Sequence, residues 1–190
     1  MFRFIPLTAT AALILAGCSS ANQAADEVGG VVSDVAAEVT APEAEAQLMD
    51  AQGNSVGTAS LEQGANGVEI EVHVTGLPAG THGIHLHMVG SCTAPEFTSA
   101  GAHFNPMNKQ HGLANPDGPH AGDLPNLEVV ADGSGQAELT NDRVTLREGA
   151  NSVFDADGTA VVIHAGPDDQ RTDPSGNSGA RIACGVIQKD

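Results

Sequence analysis

The sequence predicts an all-β domain, a sandwich or barrel of short strands. Three observations carry that prediction. Residues 68–77, VEIEVHVTGL, alternate strictly: Val68, Ile70, Val72 and Val74 fall on one face, and Glu69, Glu71, His73 and Thr75 on the other. This is the period of a half-buried strand. Similar short runs recur as AQLMDA (46–51), SVGTASL (55–61), GIHLHMV (83–89), LEVVA (127–131), QAELT (136–140), GTAVVIHA (158–165) and RIACGVIQ (181–188). Turn signals separate several of them, among them Gly64-Ala65-Asn66-Gly67, Asp132-Gly133-Ser134-Gly135 and Asp157-Gly158. Many short strands with such punctuation indicate a sandwich or barrel. Trp and Tyr are absent and Phe is scarce, so the core must come from Val, Ile, Leu and Ala. Two long connections, 90–126 and 165–180, interrupt the strand pattern. Long structureless loops inside a compact domain are usually functional.

The N-terminus reads MFRFIPLTATAALILAGCSS. Arg3 precedes an apolar stretch from Phe4 to Ala16 that is too short to span a bilayer, so residues 1–17 read as a signal peptide. Leu15-Ala16-Gly17-Cys18 resembles the lipobox of bacterial lipoproteins, in which the cysteine becomes the first residue and carries lipid. That resemblance implies an exported, periplasmic or cell-envelope lipoprotein anchored to a membrane through Cys18. Residues 18–44, rich in Ala, Asp and Glu and without an aromatic, read as a flexible tether. Residues 45–190 read as the folded domain. Lipidation of Cys18 accounts for the odd cysteine of three and leaves Cys92 and Cys184, for which a disulfide is the default in an oxidising compartment. Such a bridge is worth roughly 3–5 kcal/mol on the chain-entropy model. The formal net charge of −17 argues against nucleic acid and against docking on an anionic lipid surface. It also sets a problem for any anionic substrate.

The histidines differ in weight. His103, His111, His120 and Asp123 gather in a Gly/Pro/Asn-rich loop, AHFNPMNKQHGLANPDGPHAGD (102–123), that neither alternates nor suits a helix. Imidazole and carboxylate ligands suit a tetrahedral zinc ion, and a loop that buries little apolar surface gains its order from metal binding. His85 and His87, two apart on a predicted strand, share one face, although an isolated H-x-H is more often a pair of ordinary strand residues. His164 ends the apolar strand Ala160-Val161-Val162-Ile163 and gains weight only if other ligands converge on it. His73 lies on the polar face of its strand and reads as a surface residue. His82 reads as a packing or supporting group.

In order along the chain, GIHLH (83–87), GAHFNP (101–106), the H-x8-H-x2-D spacing of 111–123, VVIH (161–164) and GNSGARIACGVI (176–187) closely resemble the copper/zinc superoxide dismutase family, from about residue 45 to the C-terminus. The resemblance implies an eight-stranded Greek-key β-barrel or sandwich of immunoglobulin-like architecture with two long functional loops. It implies copper on His85, His87, His103 and His164, and zinc on His103, His111, His120 and Asp123, with His103 bridging the ions. Cys92 and Cys184 match the family disulfide. Arg181 matches the arginine that guides and holds the anion, making Arg181 and His103 the catalytic candidates. Asp168 matches the aspartate that joins a copper histidine to a zinc histidine, by position His85 and His111. The implied activity is dismutation of superoxide to dioxygen and hydrogen peroxide by redox-cycling copper beside structural zinc.

The loop GPDDQRTDPSGNSG (166–179) is shorter than that of the animal and plant enzymes and carries one basic residue. It looks like the bacterial branch. Lys109 and Arg171 are therefore only candidates for steering the substrate. Dimer contacts differ between branches, so a homodimer is left open. The competing reading is a non-enzymatic copper- and zinc-binding lipoprotein on the same fold; a purely structural tethered β-domain leaves the ligands unexplained.

Overall fold

The computed structural model describes residues 41–190, so Cys18, the signal segment and most of the tether lie outside the described residues. Ten strands follow in order: β1 (Glu43–Asp50), β2 (Ser55–Gly64), β3 (Gly67–Val74), β4 (Gly80–His82), β5 (Ile84–His87), β6 (Leu127–Val129), β7 (Gly135–Asn141), β8 (Ala160–His164), β9 (Arg181–Val186) and β10 (Gln188–Lys189). All pairings between strands are antiparallel, in the order β4-β6-β7-β3-β2-β1-β9-β8-β5, with β10 added to β1. The two ends of this order, β4 and β5, are separated in sequence by Gly83 alone. The sheet therefore curls into a nearly closed barrel.

The all-β expectation stands, and the strand count among the described residues is ten, against the eight expected. Two short strands carried no readable period: Gly80–His82 has three residues, and Gln188–Lys189 is split from β9. A third connection, 142–159, also lacks regular strand. Its Val144, Leu146 and Val153 are buried in the core, and its one ladder contact is the bridge Thr145–Ser152. Apolar plugging substitutes there for pairing.

The core confirms the period-two reading of β3, where Val68, Ile70, Val72 and Val74 are buried and Glu69, Glu71 and His73 exposed. Val, Ile, Leu and Ala dominate the interior, with Phe104 joining them. A second, smaller cluster of Phe97, Ala100, Ala160, Val162 and Cys184 lies beneath the loop after β5. β5 is buried on both faces. Ile84 and Leu86 belong to the main core, so alternation turns His85 and His87 outward under the two functional loops.

Candidate metal centre

His85 and His87 on β5, His164 at the end of β8 and His103 on the loop after β5 offer ligand atoms within 4.8 Å of one another. On each ring one nitrogen is committed. His87 Nδ1 donates to Gly101 O at 2.9 Å and His164 Nδ1 to Gly179 O at 3.2 Å. His85 Nε2 meets Asp168 Oδ2 at 2.8 Å, and His103 Nδ1 meets Asp123 Oδ1 at 3.0 Å. The other nitrogens, His85 Nδ1, His87 Nε2, His103 Nε2 and His164 Nε2, are buried without a hydrogen-bond partner among the described residues. Buried polar atoms rarely remain unpaired. Burial pushes His85 down to about 3, His87 to about 2 and His164 to about 4, so these rings are neutral at pH 7 and present lone pairs. Four convergent imidazole lone pairs fit a copper ion.

The second cluster is tighter. Asp123 Oδ1 lies 3.0 Å from His103 Nδ1, 3.0 Å from His111 Nδ1 and 3.3 Å from His120 Nδ1, and the two Nδ1 atoms of His103 and His120 are 3.4 Å apart. A tetrahedral zinc ion with bonds of about 2.0 Å holds its ligands about 3.3 Å apart, so the donor set fits zinc in type and spacing. A wider 4.8 Å grouping joins His85 to His103, His111 and Asp123. His85 is better placed in the first cluster, because its Nε2 is taken by Asp168 and only Nδ1 is free. Asp123 Oδ2 accepts from Gly112 N and His120 N, which fixes the carboxylate.

Asp168 joins the two clusters. Its Oδ2 faces His85 Nε2 at 2.8 Å and its Oδ1 faces His111 Nε2 at 3.0 Å. Asn126 holds the Asp168 peptide from both sides, accepting from its N–H and donating to its C=O. His111 thus has a carboxylate on each ring nitrogen. Burial alone would lower its pKa, but the hydrogen bonds with Asp123 and Asp168 outweigh burial and push it up to about 9. Asp123 is held well below the usual carboxylate range, its burial outweighed by hydrogen bonds from His103, His111 and His120.

A zinc ion taking His111 Nδ1 must displace a proton wherever His111 is protonated. Zinc affinity of the metal-free protein should therefore rise roughly tenfold per pH unit below about 9 and level off above it. Zinc titration over that range checks this, together with proton release in weak buffer. An affinity flat with pH below about 9 contradicts it.

Arg181 opens β9, half-buried, and its two terminal nitrogens donate to Phe97 O and Gly101 O, each at 2.6 Å. Gly101 O also accepts from His87 Nδ1, so Arg181 and His87 share one carbonyl. The Cys92–Cys184 disulfide ties the loop after β5 to β9. The Phe97 cluster packs beside it and sets the carbonyls that hold the arginine. Lys109 is exposed and lines a depression shared with His103 and His120; Arg171 is exposed on the loop after β8.

Comparison with known proteins turns this geometry into an assignment. The family model described as copper/zinc superoxide dismutase matches residues 55–187. The chain belongs to the copper/zinc superoxide dismutase family. It is 46% identical over 145 residues to superoxide dismutase 1 (Cu-Zn) of Aquifex aeolicus, covering 75% of this chain and 86% of that one. It is 40% identical to the superoxide dismutase-like protein YojM of Bacillus subtilis, covering 98% and 96%. The crystal structure of a SOD-like protein from Bacillus subtilis matches with a TM-score of 0.73 and 43% identity, covering 75% of this chain and 96% of that one. Cu/Zn superoxide dismutase from Brucella abortus matches with 0.64 and 28%, covering 77% and 99%. As a member of the dismutase family the chain is an enzyme of superoxide dismutation that uses copper and zinc. Its disulfide is the chemistry of an extracytoplasmic compartment.

The structure brings His85, His87, His103, His111, His120, Asp123, His164 and Asp168 together, and Arg181 shares a carbonyl with His87. His73 is exposed against Glu71, as expected. His82 is buried, its Nδ1 2.7 Å from His164 O and its Nε2 2.8 Å from Pro78 O, a support under the end of β8. Sequence reasoning missed Asn126, Asn141, Arg143, Asp173 and Gly176. Asn141 and Arg143 hold carbonyls of the 120–123 segment, Asp173 accepts from His111 N, and Gly176 abuts Asp168 and His111. These groups act on backbone or by lacking a side chain, so no ligand-type pattern marks them.

Proposed function

We propose that His85, His87, His103 and His164 hold the copper and His103, His111, His120 and Asp123 the zinc of an exported, lipid-anchored dismutase. The observation that carries this reading is His103, whose Nε2 belongs to one cluster and whose Nδ1 belongs to the other. Copper, when bound there, supplies one-electron cycling that zinc cannot. The protein's own part is positional and protonic. Arg181 binds and orients the superoxide anion. His103 Nε2 holds a proton in one half of the cycle and gives it to the departing peroxide in the other. Asp168 orients His85 and His111 together, as carboxylates behind metal-bound imidazoles do. Two superoxide anions and two protons give dioxygen and hydrogen peroxide.

Removal of residues 1–17, lipid on Cys18 and a tether reaching β1, which begins at Glu43 with Ala44 already in the core rather than at residue 45 as expected, would place the folded domain at the cell envelope, in the periplasm. A homodimer is compatible with this arrangement. Metal-loaded protein should hold copper and zinc in near-equal amounts and dismutate superoxide, and a copper chelator should abolish the activity. Loaded protein without activity, or with variable metal content, would instead support a metal-binding lipoprotein. Growth in labelled palmitate tests Cys18: label that persists in Cys18→Ser refutes the anchor.

A further inference from the structure

The zinc-side segment His120-Ala121-Gly122-Asp123 carries two of the four donors, and each of its four carbonyls has a protein donor. Leu86 N of β5 donates to Gly122 O at 2.9 Å. Asn141 Nδ2 donates to Ala121 O at 2.8 Å. Arg143 donates through Nε to His120 O at 3.3 Å and through Nη2 to Asp123 O at 2.7 Å. Asn141 ends β7 and is fully buried, and its own Oδ1 accepts from Arg143 N at 3.0 Å. The two side chains thus form one unit at the end of β7 that grips three successive-to-near carbonyls of the ligand segment. The carboxylate partner of Arg143, Asp142, is at the surface, 3.2 Å from Nη1. The inward-facing nitrogens of the guanidinium are spent on zinc-segment backbone.

We infer that Arg143, with Asn141, is a positioning residue for zinc: it preforms the His120–Asp123 half of the site, onto which His103 and His111 close. The inference rests on the zinc reading above. A planar guanidinium spans two carbonyls that lie three residues apart, whereas a lysine ammonium is a point donor. A glutamine reaches less far and carries no charge. Loss of the fork frees the backbone that aims His120 Nδ1 and Asp123 Oδ1, while the copper-side rings keep their own anchors at Gly101, Gly179 and Asp168. The effect should therefore be zinc-specific.

The test uses the full chain, stripped of metal and titrated with zinc, and in parallel with cobalt(II) as a spectroscopic probe of the zinc site. Arg143→Gln should weaken zinc roughly 10–100-fold, the range for groups that orient metal ligands, and alter the cobalt d–d bands. Arg143→Lys should recover part of both. Copper affinity should stay near that of the parent. A folded Arg143→Gln protein with the parent's zinc affinity and cobalt spectrum overturns the inference. So does an equal loss of zinc and copper affinity, which marks a strut of the whole fold. If the glutamine variant does not fold, the lysine variant decides: parent-like zinc affinity and spectrum overturn the inference, and an intermediate affinity supports it. A parent protein without a tetrahedral cobalt spectrum overturns the zinc assignment itself.

Discussion

Arg181→Ala lowers the dismutation rate constant roughly 10–100-fold and flattens its dependence on ionic strength, the signature of lost local steering. The protein's formal charge of −17 would repel superoxide if charge were spread evenly, but it is not. Glu43, Glu62, Glu69, Glu71 and Glu138 line one depression on β1, β2, β3 and β7. The copper-side histidines sit on β5, β8 and the loop after β5, and Arg181 starts β9 next to β8. Its positive charge is among the lesser causes that lower the pKa of His87 and His164, behind their burial and the neighbouring His103, so the guanidinium lies close enough to act on that cluster. Its hydrogen bonds to Phe97 O and Gly101 O fix the charge in place. Arg181→Lys keeps the charge and loses the two-carbonyl grip, so its rate should fall between the parent's and the alanine variant's. Rate constants measured at several salt concentrations decide the matter. An alanine variant with the parent's salt slope removes Arg181 from the steering role.

Gly176→Ala weakens zinc by about a hundredfold, the upper end of what loss of an orienting group costs. Gly176 has φ +60°, and a Cβ there would stand 1.6 Å from Asp168 Oδ1 and 2.8 Å from His111 Nε2. Neither neighbour can yield cheaply. Asp168 Oδ1 accepts from Gln170 N at 2.6 Å and meets His111 Nε2 at 3.0 Å, and the Asp168 peptide is clamped by Asn126. Gly176 is itself fixed, its C=O accepting from Asp169 N at 2.9 Å. The left-handed backbone adds about 1–2 kcal/mol for any residue with a Cβ. The added methyl drives the carboxylate off both His111 and His85. Zinc titration of the metal-free variant, with its melting temperature alongside, measures the effect. Parent-like zinc affinity would mean that the loop shifts freely and that Asp168 is not held against this glycine.

The candidate ligands were legible in the sequence because metal chemistry restricts residue type, and the ordered motifs around them are long. β3 was legible because one of its faces is buried and the other exposed, which writes a period of two. β5 has no such contrast, since loops cover its outer face and every residue is buried; only the H-x-H spacing revealed its direction. β4, β10 and the 142–159 connection left no pattern, being too short or held by isolated apolar plugs. Arg143, Asn141 and Asn126 were illegible for a different reason. They work on backbone carbonyls and amides, which every residue carries, so nothing at the receiving end of the contact is visible in the letters. Gly176 looked like any glycine in a turn until Asp168 was found against it.

β5 is the last strand of the sheet, yet its outer edge is not bare. Leu86 N donates to Gly122 O, Phe104 N to Leu86 O, and Met88 N to Ala102 O, while His85–Asp123 and His87–His103 form isolated bridges. The loop that gathers the zinc-side donors thus serves as the missing neighbour of an edge strand. An uncovered edge with free N–H and C=O groups is a template for pairing with another chain. A chain whose loop has come away, through loss of the ion or of the residues that order it, exposes that template next to Ile84 and Leu86. For this protein, then, keeping its metal and resisting self-association are served by the same stretch of backbone.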